Sequence, residues 1–156
     1  MGVMLEDVGK FDGEFLDAVK QSPKNPLKIL DLCVAYGFTT KELLKTGADV
    51  TADDLSEEHL KHLWETVSEE ERTRLQLLPG NAVELEFPAK SVDGIMACRW
   101  FNFLTGDKVR KVLEKSYNWL VPSGTLCVTA ESIHSACFVN AYAKYVRAKE
   151  SSAEDE

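Results

Sequence analysis

The stretch Leu27-Lys28-Ile29-Leu30-Asp31-Leu32-Cys33-Val34-Ala35-Tyr36-Gly37-Phe38 decides the fold of this chain. Its first part, residues 27–33, is a short apolar run typical of a strand that is buried on both faces of a sheet. Small residues follow at positions 33, 35 and 37, which let the backbone turn tightly and approach a ligand. A helix is predicted from about Thr39 or Thr40, with a threonine hydroxyl as its cap and Gly47 as its stop.

The alternation of strand and helix continues along the chain. Further strands are predicted over residues 48–54, 75–80, 92–98 and 125–130. Apolar residues at helical spacing predict four more helices, around Phe11, Phe15, Leu16 and Val19, around Leu60, Leu63, Trp64 and Val67, around Val109, Val112, Leu113, Ser116, Tyr117 and Leu120, and around Val139, Tyr142, Ala143 and Val146. This order predicts a three-layer α/β domain with a parallel sheet, whose ligand binds outside the carboxyl ends of the strands.

Composition limits the classes of function. The 156 residues are the usual size of one domain, and the net charge of −8 argues against a sequence-independent grip on nucleic acid. The four cysteines form no CxxC pair and show no metal-ligand spacing, so we expect free thiols and no metal site. No signal peptide and no run of about 18 apolar residues is visible. A cytoplasmic protein with a small-molecule partner and no membrane partner is expected.

The residues that follow each strand are the candidate site. The loop Cys-Val-Ala-Tyr-Gly-Phe lacks the G-x-G-x-x-G pattern, so it suits a ligand without phosphates, or it is a tight turn with no ligand. The acid after the second strand, Asp53 or Asp54, either accepts hydrogen bonds from a ribose or favours the next helix through its dipole. Asn81 either binds an adenine edge or tolerates a turn, and Arg99 either holds a carboxylate or is solvated. Some aromatic rings of residues 100–103 are expected to wall a pocket.

Four segments in order carry a family resemblance: KILDLCVAYGFTT, ADVTADDLSEEHL, LLPGNAVELEFPAKSVDGIMA and LVPSGTLCVTAES. They resemble the successive motifs of class I S-adenosylmethionine-dependent methyltransferases, above all bacterial members whose first motif reads DLCxAYG. The resemblance covers about residues 27–131. It implies a Rossmann-like, doubly wound, mainly parallel sheet of strand order 3-2-1-4-5, with S-adenosylmethionine as the cofactor.

The resemblance also assigns roles at the strand ends. Asp31, Cys33, Ala35 and Gly37 would surround the methionine part of the cofactor. Asp54 would take the ribose hydroxyls, Leu55 would lie against the adenine, and Asn81 and Ala82 would sit at the adenine edge. Cys98 and Arg99 would close the pocket near the transferable methyl, and Asp93 would be structural. Cys33 and Ala35 replace two glycines of the family pattern. His134 is a candidate base by position alone.

The predicted organisation is a single methyltransferase-like domain over residues 1–148 with a disordered acidic tail over 149–156. Within it, residues 1–24 form a helix and linker, 27–131 the cofactor-binding core and 132–148 a last helix. The family's sixth and seventh strands are expected to be lacking or truncated, which leaves the fifth strand as an exposed edge and a possible homodimer contact. The predicted function is methyl transfer to a small-molecule acceptor. The alternative is an inactive relative that acts as a binding or regulatory protein.

Overall fold

A computed structural model describes residues 9–131 and 142–147. In chain order the elements are α1 (Lys10–Lys20), β1 (Lys28–Leu32), α2 (Phe38–Lys45), β2 (Asp49–Asp54), α3 (Glu57–Thr66), α4 (Glu69–Arg72), β3 (Leu75–Pro79), β4 (Val92–Cys98), a short 3-10 helix (Phe101–Phe103), α5 (Gly106–Trp119), β5 (Leu120–Thr129) and a helical turn α6 over residues 142–147.

The strands form one five-stranded sheet in the order β3-β2-β1-β4-β5, and every neighbouring pair is parallel. The predicted fold and strand order are therefore confirmed. Strand order reverses between β1 and β4. Strands β2 and β3 lie on one side of β1, whereas β4 and β5 lie on the other side. In the register of β1 with β2, Leu32 lies opposite Asp53, so the loops after these two strands emerge side by side.

Helices cover both faces of the sheet, and each face has its own apolar core. On one face α1, α2 and α3 bury side chains such as Phe15, Leu43 and Leu63. On the other face α5 buries Val112 and Trp119 against β1 and β4, together with Trp100. Removal of these apolar side chains from water is the main favourable term that holds helices to sheet.

The predicted threonine cap of α2 was wrong, and β5 begins earlier than predicted. Helix α2 begins at Phe38 with Gly37 as its N-cap in the left-handed conformation, and no side chain caps it. The threonine hydroxyls donate instead to Asp31. Strand β5 begins at Leu120, directly after α5, rather than at residue 125, but its regular pairing with β4 runs from Thr125, after an irregularity at Pro122-Ser123-Gly124.

The predicted apolar stripe of α5 was only partly correct. Val112 and Ser116 are buried, but Leu113 and Tyr117 are exposed, the latter by 82%. Trp119, which the stripe did not include, is buried in their place. Helix α4 was not predicted at all, although Ser68 and Glu71 form a capping box at its start.

Several predictions concern residues outside the described ranges. They include most of the C-terminal helix over 132–148, the acidic tail, His134, Cys137 and the first residues of the chain. None of the helices in the described part is long and apolar enough to cross a membrane.

Candidate functional site

The loop after β1 turns through three residues in the left-handed conformation. The φ angles are 56° at Cys33, 49° at Ala35 and 73° at Gly37. A Cβ on Gly37 would lie 2.4 Å from a methyl carbon of Leu63 in α3, so the loop packs directly on that helix. The two residues that replace glycines thus adopt the backbone shape that glycine adopts most easily, at a cost of about 1–2 kcal/mol each.

The carboxylate of Asp54 joins the loop after β1 to the loop after β2. Its Oδ2 accepts the backbone N–H of Ala35 at 2.8 Å, and its Oδ1 accepts the backbone N–H of Ser56 at 2.8 Å. Nδ1 of His59 lies 3.1 Å from the same Oδ1. Asp54 is 8% exposed, so it points into the molecule between the two loops rather than outward into solvent.

The ring of Tyr36 lies over α3. Its centroid is 4.6 Å from the ring of His59 and 5.1 Å from the ring of His62. These contacts place Tyr36 against the helix beside Asp54. Leu55, the next residue after Asp54, is largely exposed.

Asp31, the acidic residue of β1, is buried. Its Oδ2 accepts hydrogen bonds from the hydroxyls of Thr40 at 2.7 Å and Thr39 at 3.3 Å. Burial raises the pKa of Asp31 to about 7, partly offset by these two hydroxyls. The threonines therefore link the start of α2 to the carboxyl end of β1.

Asp53 is the second enclosed acid of the site. It has no exposed surface, and its carboxyl oxygens form no hydrogen bond of good geometry in the described residues, although the backbone N–H of Cys33 lies close enough to lower its pKa. Its Oδ1 lies 4.0 Å from where a Cβ of Gly80 would stand, which places it between β2 and the loop after β3. Burial raises its pKa to about 7, and the nearby Asp54 and Asp31 add to the effect.

The loops after β3 and β4 complete the strand ends. Asn81 is exposed and its Oδ1 accepts the backbone N–H of Val83 at 3.1 Å, while Ala82 is buried. Cys98 ends β4, and burial raises the pKa of its thiol well above the usual range. Arg99 has a φ of 53° and pairs with Glu131 at 3.3 Å.

Residues 29–124 match the family described as "Methyltransferase domain". The chain belongs to this family. A demethylmenaquinone methyltransferase of Listeria monocytogenes is 30% identical over 125 residues, which are 76% of this chain and 52% of that protein.

Solved structures of low sequence identity share the methyltransferase fold. An S-adenosylmethionine-dependent methyltransferase from Mesorhizobium loti superposes with a TM-score of 0.65 at 21% identity, over 79% of this chain and 55% of that one. Phosphoethanolamine N-methyltransferase 1 of Haemonchus contortus was solved with phosphoethanolamine and S-adenosylhomocysteine. It superposes with a TM-score of 0.65 at 20% identity, over 84% of this chain and 30% of that one. The chain thus spans about half the length, or less, of these relatives.

The structure brings most of the predicted site residues of this methyltransferase domain together. Asp31, Cys33, Ala35 and Gly37 share one loop and its strand, and Asp54 is bonded to that loop. The remaining predicted positions, Leu55, Asn81, Ala82, Cys98 and Arg99, follow β2, β3 and β4 at the same edge of the sheet. Asp93 lies near the start of β4, at the opposite end of the strands. Its carboxylate accepts hydrogen bonds from Nζ of Lys24 and the backbone N–H of Lys28, which agrees with a structural role.

The aromatic run after β4 divides between the core and the surface. Trp100 is buried in the core, whereas Phe103 is 80% exposed. Asn102 between them accepts the backbone N–H of Glu131 at 3.0 Å, which ties this segment to the end of β5. The segment is therefore partly core and partly surface.

Sequence reasoning missed Asp12 of α1. Asp12 is 4% exposed and lies on the same face of the helix as the buried Phe15 and Leu16. The thiol of Cys98 donates to its Oδ1 at 3.3 Å. The available signal was a carboxylate at a core position of an amphipathic helix, since acids are almost never buried without a partner.

Proposed function

We propose that this methyltransferase domain binds S-adenosylmethionine at the carboxyl ends of β1 and β2 and transfers its methyl group to a small-molecule acceptor. The observation that carries the proposal is the carboxylate of Asp54, which two backbone N–H groups fix where the loops after β1 and β2 meet. An acid at this place is suited to a ribose diol.

The chemistry of the Asp54 contacts supports a sugar ligand. A carboxylate offers about four acceptor positions. The contacts with Ala35, Ser56 and His59 occupy three of them, so capacity for a hydroxyl donor remains. The tight loop of residues 33–37 brings backbone, rather than long side chains, next to this position.

The other strand-end residues fit the rest of the cofactor. The exposed side chain of Leu55 offers an apolar surface for adenine, and Asn81 and Ala82 follow the neighbouring strand. Asp31 and Cys33 would face the methionine part, with Cys98 and Arg99 beyond. The cofactor supplies a methyl group on a sulfonium, and the protein's part is orientation, which is worth about 7–11 kcal/mol in a well-aligned displacement.

The acceptor is proposed to be a small molecule. The net charge of −8 disfavours a nucleic-acid acceptor. The relative whose name gives demethylmenaquinone as its substrate supports a small organic acceptor. We further propose a cytoplasmic location, since Cys33, Cys98 and Cys127 are free thiols.

Isothermal titration with S-adenosylmethionine and S-adenosylhomocysteine tests the proposal. Asp54→Asn keeps the shape of the side chain and removes its charge, so affinity for both ligands is expected to fall at least about tenfold. The control is Asp49→Asn, at the other end of the same strand, which is expected to leave affinity unchanged.

The possible results separate the two candidate functions. No binding by the wild-type protein would reject the proposal, and equal affinity in Asp54→Asn would reject the ribose assignment. Binding without methyl transfer to any member of a panel of small acceptors would favour the binding or regulatory protein instead.

A further inference from the structure

Among the described residues, His59 supplies the only side chain that bonds to the carboxylate of Asp54. Its Nδ1 lies 3.1 Å from Oδ1 of Asp54. A carboxylate accepts hydrogen bonds and donates none, so Nδ1 is a ring nitrogen that carries a proton here. The other contacts of this carboxylate come from the backbone N–H groups of Ala35 and Ser56, which any residue except proline would supply there. The imidazole is therefore the part of this arrangement that depends on side-chain chemistry.

The imidazole of His59 is held by both α3 and the loop after β1. Ser56 is the N-cap of α3, and the backbone N–H of His59 donates to its hydroxyl at 3.4 Å. The ring of Tyr36 lies against the imidazole, with 4.6 Å between the ring centroids. One turn further along α3, Leu63 fills the space beside Gly37. The imidazole thus has a fixed place beside Asp54, between the loops after β1 and β2.

The contacts of Asp54 fix both of its carboxylate oxygens. Its backbone is anchored as well, because its carbonyl oxygen accepts the N–H of Gly80 at 3.0 Å. Ala35 holds Oδ2, whereas Ser56 and His59 share Oδ1. Rotation of the carboxylate would disturb all three of these bonds. The direction of its remaining lone pairs matters for a sugar ligand, since a hydrogen bond weakens steeply when its angle becomes unfavourable.

We propose that His59 is a positioning residue of the cofactor site, which holds the carboxylate of Asp54 in the orientation that accepts the ribose hydroxyls. The proposal rests on the proposed function, because it requires the sugar of S-adenosylmethionine to bind at Asp54. His59 acts through the carboxylate, so its loss weakens every ligand that carries the same sugar. S-adenosylmethionine and S-adenosylhomocysteine are therefore affected to the same extent, although they differ in charge at sulfur.

Calorimetric titration with these two ligands tests the inference. His59→Phe keeps an aromatic ring against Tyr36 and removes Nδ1. The affinity for both ligands is expected to fall about threefold to tenfold, the usual range for one hydrogen bond that water partly replaces. The side chain of His59 is 31% exposed, so such replacement by water is possible. His62→Phe is the matched control, because the ring of His62 also contacts Tyr36, at 5.1 Å, and it is expected to leave both affinities unchanged.

Two further variants separate a positioning role from a structural one. His59→Asn places an amide N–H close to where Nδ1–H of the imidazole stands, so its affinities are expected to stay within about twofold of the wild type. In an Asp54→Ala background the acceptor of this bond is gone. There, His59→Phe is expected to cause less than about a twofold further loss, since the two substitutions remove the same interaction.

The inference is overturned by unchanged affinities in His59→Phe or by an equal loss in His62→Phe. It is also overturned if His59→Asn loses as much as His59→Phe, or if the loss is as large in the Asp54→Ala background as in the wild type. Absence of binding by the wild-type protein rejects the proposed function, and this inference with it. Normal wild-type binding combined with any of the earlier results rejects this inference alone.

Discussion

Gly37 occupies a backbone position where a side chain meets both strain and a clash. Its φ of 73° is left-handed, and a Cβ would lie 2.4 Å from a methyl carbon of Leu63. We expect Gly37→Ala to lower the free energy of unfolding by at least about 2 kcal/mol in urea denaturation, from left-handed strain and overpacking together.

Gly106 provides the matched control for that substitution. A Cβ there meets nothing within 4 Å, and the residue begins helix α5. Gly106→Ala is therefore expected to be neutral or to add up to about 1 kcal/mol. Similar losses in both variants would contradict the role assigned to the Leu63 contact.

Asp53 gives the domain a dependence of stability on pH. Its pKa is about 7 in the folded protein against 3.8 for the free side chain, so the folded state binds the proton more tightly. The free energy of unfolding then falls as pH rises from about 4 to about 7, by up to about 1.4 kcal/mol per unit, and levels off above. Asp31 has a similarly raised pKa and acts in the same direction.

Asp53→Asn is expected to raise the melting temperature at about pH 8 and to flatten its decline between about pH 4 and pH 7. The exposed Asp17→Asn serves as the control and should keep the wild-type profile. Thermal melts at a series of pH values measure both effects. A wild-type protein that gains stability as pH rises over this range would contradict the sign derived from burial.

Prediction from sequence worked for single residues when a local pattern carried the information. The acid after β2 and the small residues after β1 are recognisable from their positions after predicted strands. The backbone N–H of Ala35 does donate a hydrogen bond to Asp54. The burial of Asp53 and the contact of Asp12 with Cys98 depend on distant parts of the chain. Asp12 and Cys98 are separated by 86 positions. No local pattern encodes such contacts.

At the scale of elements, substitutions in α5 test which face of this helix packs against the sheet. Val112 is 1% exposed against the sheet, whereas Tyr117 is 82% exposed. Val112→Ala is expected to cost about 1–2 kcal/mol of unfolding free energy, because two buried methyl groups are lost. Tyr117→Ser is expected to stay within about 0.5 kcal/mol of the wild type. Comparable losses in the two variants on chemical denaturation would contradict this assignment and would agree instead with the stripe predicted from periodicity, which included both residues.

The element boundaries that sequence reasoning missed have physical causes. The periodicity of α5 contains more apolar residues than one buried face accommodates, so only packing decides that Trp119 is inside and Leu113 outside. Strand β5 begins at Leu120, directly after the helix, and its first part runs through Pro122-Ser123-Gly124. Turn-forming residues of this kind indicate a break in the chain, and they interrupt the strand here. Val92 of β4 pairs with Leu120 and Gly94 pairs with Thr125, so the register shifts across these residues, and Ser123 has a φ of 69°.

At the scale of the whole molecule, strand order was predictable because four motifs occur in one sequence order, and each follows a strand of known place in the family. The sheet has the expected order β3-β2-β1-β4-β5. What covers the outer side of β5 was not predictable in the same way, since no motif follows it. Among the described strands, β5 pairs only with β4.

In the part of the chain that the structure describes, nothing pairs with the outer edge of β5, and such an edge favours pairing with another strand. Strand β5 spans ten residues, and unpaired backbone groups along an edge are a template for association. We expect light scattering of the purified 17.4 kDa chain to give the mass of a dimer. Thr125→Lys, which places a charge on the exposed part of the edge, is expected to shift the mass toward the monomer, because edge lysines oppose strand pairing. Asn118→Lys adds the same charge on the exposed surface of α5 and should leave the dimer intact. A wild-type mass of one chain, or equal dissociation in both variants, would show that the β5 edge is not the contact.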